Sequence, residues 1–274
     1  MDTMLNTLED SRLIAALEAN LEEEMLCFGR GLTGAEIYHD GEIEGFFTGR
    51  GHLNGILRAH LHTTEPDEIV ARIKAVKHYF RAKEVASMGW SIGQDCQPAN
   101  LALLLQQQEF HKLADESVGM ALAIEAIQAE GTMVEGLEMR EIEDLEELKI
   151  LRQLEIEGFG SSEELAQNYY EMYAGVGFGR GTVWRHFCGW YQGQAVASTS
   201  LLFHAGIAGI YGVATIPEAR RKGIARAMVM HAVEQARQEG YHIAILSPTE
   251  MSEGIYHRLG FREYTVIRHY TCGL

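Results

Sequence analysis

Three cationic residues and a glycine stand together as Arg220-Arg221-Lys222-Gly223 in the stretch "VATIPEARRKGIARAMV", in a chain whose formal net charge is −16. Basic side chains are disfavoured at the positive end of a helix dipole, so gathering three of them before a helical segment calls for an explanation. The first N–H groups of a helix have no internal acceptor and collect partial positive charge. Gly223 has no Cβ to hold a ligand off the backbone, and Ala225 is small. Together these features make an anion site of a kind that suits a diphosphate, with Arg220, Arg221 and Lys222 supplying long-range charge and the small residues supplying shape. The pattern is not a P-loop, because no GxxxxGK followed by Ser or Thr is present, and it is not GxGxxG.

The elements that must position this stretch can be read around it. "KGIARAMVMHAVEQARQEGY" (222–241) predicts a helix with Ile224, Ala227, Met228, Ala232 and Ala236 as its inner stripe and Gly240 at its end. "HIAILS" (242–247) is an apolar run of the kind found in a parallel strand buried on both faces. "GTVWRHFCGWYQGQAVASTSLLFHAGIAGIYGVAT" (181–215) alternates and turns at Gln192-Gly193, predicting three strands, the last ending at Thr215. Two helices precede it, over 143–157 and 161–177, the second capped at Ser161 or Ser162. A short helix over 250–260 and one or two strands over 261–271 follow. The first half repeats this order: a helix over 4–28, a hairpin over 35–49 turning at Asp40-Gly41, a strand over 53–62, a helix over 67–84, a strand over 85–93, a short helix over 98–110 and two short strands over 111–124. The small, polar stretch 125–133 reads as the boundary. A weak internal duplication is expected.

Arg220-x-x-Gly223-x-Ala225, preceded by "VATIPEA" and followed downstream by Tyr256 and "HRLGF", resembles the GNAT superfamily of acyl-CoA-dependent N-acyltransferases. The resemblance covers about 134–274. It implies an α/β fold of tandem GNAT-like domains, each a mostly antiparallel sheet with a central parallel, splayed strand pair and flanking helices. A degenerate N-terminal domain is expected over 1–128 and a catalytic domain over 134–274. At the place of the phosphate loop the first half has "LHTTEPDEI", with three acids and no glycine.

The resemblance further implies acetyl-CoA as co-substrate. The backbone of Val213, Ala214 and Thr215 would pair with its amides, and the N–H groups of Arg221, Lys222, Gly223, Ile224, Ala225 and Arg226 would hold its diphosphate. A primary amine, expected to belong to a small molecule, would attack the thioester directly. Tyr256 would protonate the departing thiolate. The strand before the phosphate loop has no glutamate to serve as base, which leaves His204 or a water relay. A non-catalytic acyl-CoA-binding module, or an enzyme acting on a protein N-terminus or lysine, are the alternative readings.

Composition narrows the remaining classes. With 39 acids against 23 bases, a nucleic-acid-binding face is not expected, and neither is attachment to an anionic membrane. Cys27, Cys96, Cys188 and Cys272 are widely spaced, so no metal site is expected, and His60 and His62 lack a third ligand. The first residues read as an acidic helix rather than a leader, and a cytoplasmic monomer or homodimer is expected. Tyr169, Tyr170, Tyr173, Phe178, Trp184, Phe187 and Trp190 form a dense aromatic group that could wall an amine pocket.

Overall fold

The computed structural model describes residues 3–51, 53–127 and 134–274. The first part of the chain forms α1 (Leu13–Gly31), β1 (Glu36–His39), β2 (Ile43–Phe47), β3 (Asn54–Ala59), α2 (Pro66–Ala82), β4 (Ser87–Ile92), α3 (Leu101–Gln107) and β5 (His111–Ala123). The second part forms β6 (Leu137–Glu141), α4 (Leu145–Phe159), α5 (Glu163–Val176), β7 (Trp184–Tyr191), β8 (Gln194–His204), β9 (Ile207–Thr215), α6 (Ile224–Gln238), β10 (Ile243–Leu246), α7 (Glu253–Leu259) and β11 (Arg262–Gly273). The two short strands expected over 111–124 are one long strand, and the one or two expected over 261–271 are a single strand. The helix expected from residue 4 begins only at Leu13. The expected boundary at 125–133 lies mostly outside the described residues.

The chain divides into two compact units, each drawing on both ends of the sequence. One unit comprises 1–21 and 119–264; the other comprises 22–118 and 265–274. The consecutive halves expected from the sequence, 1–128 and 134–274, are therefore interleaved. The sheets show how. In the first unit the strand order is β5-β10-β9-β8-β7-β6. Strands β6 to β9 form an antiparallel meander, β10 lies parallel to β9, and Met120–Ala123 of β5 runs antiparallel to β10. In the second unit the order is β1-β2-β3-β4-β11. Its β1 to β3 are antiparallel, β4 is parallel to β3, and Arg268–Gly273 of β11 is antiparallel to β4. Both units follow one plan: meander, parallel pair, antiparallel closing strand. In each, the closing strand comes from the other half of the sequence.

Local chemistry explains the elements that frame the site. Asp144 caps α4, its carboxylate accepting from the N–H groups of Glu146 (2.9 Å) and Glu147 (2.8 Å). Ser162 caps α5 through the Leu165 N–H at 3.1 Å. The predicted stripe of α6 is buried at all five positions, as a helix lying on a sheet requires. All four residues of β10 are buried, consistent with coverage on both faces. In the second unit Ile69, Ile73, Val76 and Phe80 of α2 pack with Trp90 and Phe110 into a separate core.

Candidate active site

The parallel pair β9 and β10 sets the geometry. Their ladder joins Ala208 to Ala244 and Gly209 to Ile245, and goes no further. Strand β9 nevertheless continues to Thr215, roughly 20 Å beyond the last rung at about 3.3 Å per residue. Its register against β8 shifts between Ser198 and Ser200, where Gly212 and Val213 together oppose Thr199. Gly212 has φ +55°. This bulge bends β9, and bulges re-aim a strand next to functional sites. The pairing of the strands ending at Thr215 and Leu246 thus stops well short of the end of β9.

The phosphate-loop candidates sit at the open end of β9. A short turn over Pro217–Ala219 leads to Arg221 (φ +61°) and then to Gly223, which caps α6 in the left-handed conformation at φ +81°, ψ +1°. A Cβ in that backbone state costs about 1–2 kcal/mol. The first α6 bond recorded from its cap joins the Ala227 N–H to the Gly223 carbonyl at 3.0 Å. The amides of Gly223, Ile224 and Ala225 therefore belong to the helix end that lacks internal acceptors. Arg221, Lys222 and Gly223 are exposed, and the Lys222 ammonium stands 5.1 Å over the Tyr191 ring.

Arg220 is placed differently from its two neighbours. Its guanidinium donates to the Thr215 carbonyl (Nε, 3.1 Å) and to the Gly158 carbonyl (2.8 Å). It fastens the loop to the end of β9 and to α4 instead of projecting into solvent. The contact is close because residue 158 is glycine: a Cβ there would meet the Ala214 Cβ at 2.7 Å and the Thr215 nitrogen at 3.3 Å.

Tyr256 lies on α7, which follows the C-terminal end of β10 and so sits toward the end of the sheet where the two strands part. It is buried, with its ring edge-on to Phe261 at 6.0 Å. Burial pushes its phenol pKa above the usual value, and the Ser252 hydroxyl opposes this. The group thus keeps its proton at neutral pH.

A small, open cleft lies between α4, α5 and the bulged stretch of β8 and β9. Tyr169, Tyr170 and Tyr173 line it from α5; Ser200 and Gly212 line it from the sheet; Arg152 and Glu155 line it from α4. Burial raises the Glu155 carboxyl pKa, opposed by the Ser161 hydroxyl, which donates to it at 2.8 Å. Behind Ser200 stands His186, its Nδ1 2.7 Å from the Ser200 Oγ. Complete burial among Tyr173, Phe178 and Trp184 pushes this imidazole down to about 3, so it is neutral.

The aromatic group seen in the sequence thus separates. Three tyrosines face the cleft, Phe178 and Trp184 pack around His186, Phe187 meets His231, and Trp190 lies 5.1 Å beneath the Arg140 guanidinium. His204 pairs with Ile207 at the far end of β9, about 26 Å along the strand from Thr215. The sequence reading of His204 as a base fails on that distance. Glu155 went unnoticed in the sequence because "LEIEGFG" looks like a solvated helix end. Its one signal was the glycine three positions on, which lets α4 press against β9.

The second unit lacks these features. Its α2 begins at Pro66 with Asp67 and Glu68 in the first turn and Glu65 before it. No glycine occurs there, and carboxylates occupy the place where an anion would bind.

Residues 185–264 match the family model described as "Acetyltransferase (GNAT) domain". No curated protein matches the sequence. Among solved structures, a GCN5-related N-acetyltransferase from Kribbella flavida is 16% identical with a TM-score of 0.72, covering 93% of this chain and 95% of that one. A tandem GNAT protein from the clavulanic acid biosynthesis pathway is 13% identical with a TM-score of 0.68, covering 99% and 97%. A GCN5-related N-acetyltransferase from Sphaerobacter thermophilus is 14% identical with a TM-score of 0.62, covering 87% and 76%. The chain carries a GNAT acetyltransferase domain at 185–264, and its fold along nearly the whole length is that of tandem GNAT proteins. Among the described residues, no helix is long and apolar enough to cross a membrane.

Proposed function

We propose that the protein is an acetyl-CoA-dependent N-acetyltransferase acting on a small primary amine, with the chemistry confined to the unit that holds α6. The observation that carries this reading is the run of β9 beyond its last rung with β10, followed through a short turn by a left-handed glycine at the start of α6. An extended pantetheine arm can add to β9 as a strand would, along Val213, Ala214 and Thr215. The diphosphate then meets the amides of Gly223, Ile224 and Ala225, with Arg221 and Lys222 beside it. Arg226, in the same first turn, completes the expected set. Arg220 takes the role of fastener that its two carbonyl contacts support.

Transfer proceeds by attack of the amine nitrogen on the thioester carbon. The C–N bond forms, the C–S bond breaks, and the sulfur leaves with a proton. Tyr256, protonated at neutral pH and near the parting strand ends, suits that donation. A backbone N–H near Val213 or Ala214 polarises the thioester carbonyl.

The test is release of free coenzyme A thiol when the protein is supplied with acetyl-CoA and a panel of amines, amino acids, aminoglycosides and peptides. Turnover with a small amine is expected. Replacing Tyr256 by Phe should lower kcat at least tenfold while coenzyme affinity stays within about twofold. Tight coenzyme binding with no turnover on any amine would instead identify a non-catalytic binding module.

A further inference from the structure

On the outer side of α7 the fold gathers three side chains able to ligate a metal, none of them used by the acetyl-transfer reading. Glu253 and His257 are four residues apart, so they stand one above the other on the helix. Gly260, at φ +100°, ends α7 and turns the chain back through Phe261 into β11. That turn brings Glu263, the second residue of β11, alongside His257. All three residues belong to the same compact unit. Tyr256, Leu259 and Phe261 are buried, while Glu253, His257 and Glu263 are exposed.

The distances within the cluster are not those of hydrogen bonds. The His257 Nε2 lies 3.5 Å from the Glu253 Oε1 and 3.5 Å from the Glu263 Oε1. An N–H···O bond is about 2.7–3.2 Å long, and a ring nitrogen can aim its single proton at only one oxygen. Here both carboxylates face the same nitrogen at the same distance. Ligands held tetrahedrally at about 2.0–2.2 Å from an ion stand about 3.3–3.6 Å apart, so both separations match edges of such a site. The three ligand atoms all lie within 4.8 Å of one another, close enough for small side-chain rotations to complete the set. Among the described residues, neither carboxylate is paired with a lysine or arginine, so their two charges meet only the imidazole.

We propose that Glu253, His257 and Glu263 bind a divalent cation of the zinc class, with water in the fourth position. This does not depend on the acetyl-transfer reading. The neutral imidazole gives its Nε2 lone pair and each carboxylate gives one oxygen. Imidazole favours zinc, nickel or copper over magnesium and calcium, and magnesium also keeps its waters in strict octahedral geometry. The two carboxylates balance the double charge of the ion. The ion ties α7 to β11 across the turn at Gly260. Tyr256 directly precedes His257 on this short helix, so the tie also steadies the buried face of α7. The sequence reading expected no metal because the cysteines are scattered and His60 and His62 lack a third ligand; this cluster uses none of them.

The experiment is calorimetric titration of the full chain with zinc chloride, after dialysis against a chelator, beside His257→Gln, Glu263→Gln and His60→Gln. Wild type should bind one more zinc ion per chain than His257→Gln. Glu263→Gln should bind that ion at least tenfold more weakly, and His60→Gln, outside the cluster, should match wild type. Zinc should raise the melting temperature of wild type more than that of His257→Gln. Without zinc the variants should melt near wild type, since every replaced side chain is exposed, which separates loss of a ligand from misfolding. If His257→Gln melts early, Glu263→Gln reads the same loss from the other element. A tenfold excess of magnesium should leave the zinc in place. Equal zinc stoichiometry and affinity in wild type and both cluster variants overturns the proposal, as does wild type that binds no zinc. Displacement by magnesium also overturns it, marking a diffuse attraction of cations to an acidic surface.

Discussion

At the scale of single residues, Gly223 matters most, because it alone gives the start of α6 its left-handed cap. Its φ of +81° favours glycine, while the space around it would admit a Cβ. The nearest atom to an added Cβ is Val134 Cγ2 at 3.6 Å, an ordinary contact. Gly223→Ala should therefore lose about 1–2 kcal/mol from backbone strain alone, read as a drop in melting temperature. His186 yields a prediction of a different kind. Its ordinary value is 6.5 and its folded value about 3, so the folded protein resists a proton that the unfolded chain accepts. Stability is intact above pH 6.5 and falls as pH drops from there toward 3, at up to about 1.4 kcal/mol per pH unit for this one group. Denaturant unfolding between pH 6 and 4 should show a shallower loss in His186→Phe than in wild type; equal slopes would contradict the burial of a neutral imidazole.

The contact between α4 and β9 decides matters among the elements. A Cβ at Gly158 would come within 2.7 Å of Ala214, too close to be accommodated without movement. Gly158→Ala should push the helix off the strand, cost about 1–3 kcal/mol as overpacking does, and weaken acetyl-CoA binding through the Arg220 fastening. Calorimetry and thermal melts on one sample check both effects. The elements also show what the sequence could reveal. The α6 stripe was legible because its apolar residues recur at helical spacing and its glycine sits at the start. The proposed phosphate loop was legible because backbone chemistry needs small residues at fixed positions. Strand β5 was not, because its burial changes midway: His111–Glu116 are exposed and Met120–Leu122 are buried. Such a break in pattern looks like two strands. Glu155 was illegible because its meaning comes from a partner strand distant in sequence, and no local periodicity distinguishes it from the exposed acids nearby.

For the whole molecule, the exchange of closing strands is the main consequence. Residues 119–123 complete the sheet of the unit that holds α6, and 265–274 complete the other. Fragments 1–128 and 134–274 made separately should each lack a closing strand, and neither should give the cooperative melt of the full chain. A well-folded 134–274 fragment that binds acetyl-CoA as tightly as the full chain would contradict this. The tandem fold also carries a stoichiometry. The helix start of α2 has carboxylates in place of the glycine and cations found at α6, so only one of the two units is suited to the coenzyme. Calorimetric titration of the full chain with acetyl-CoA, beside Gly223→Glu, tests this most directly. One site per chain is expected in wild type and none in the variant, whose secondary structure should remain intact by circular dichroism. Two equivalent sites, no binding at all, or unchanged affinity in Gly223→Glu would contradict it.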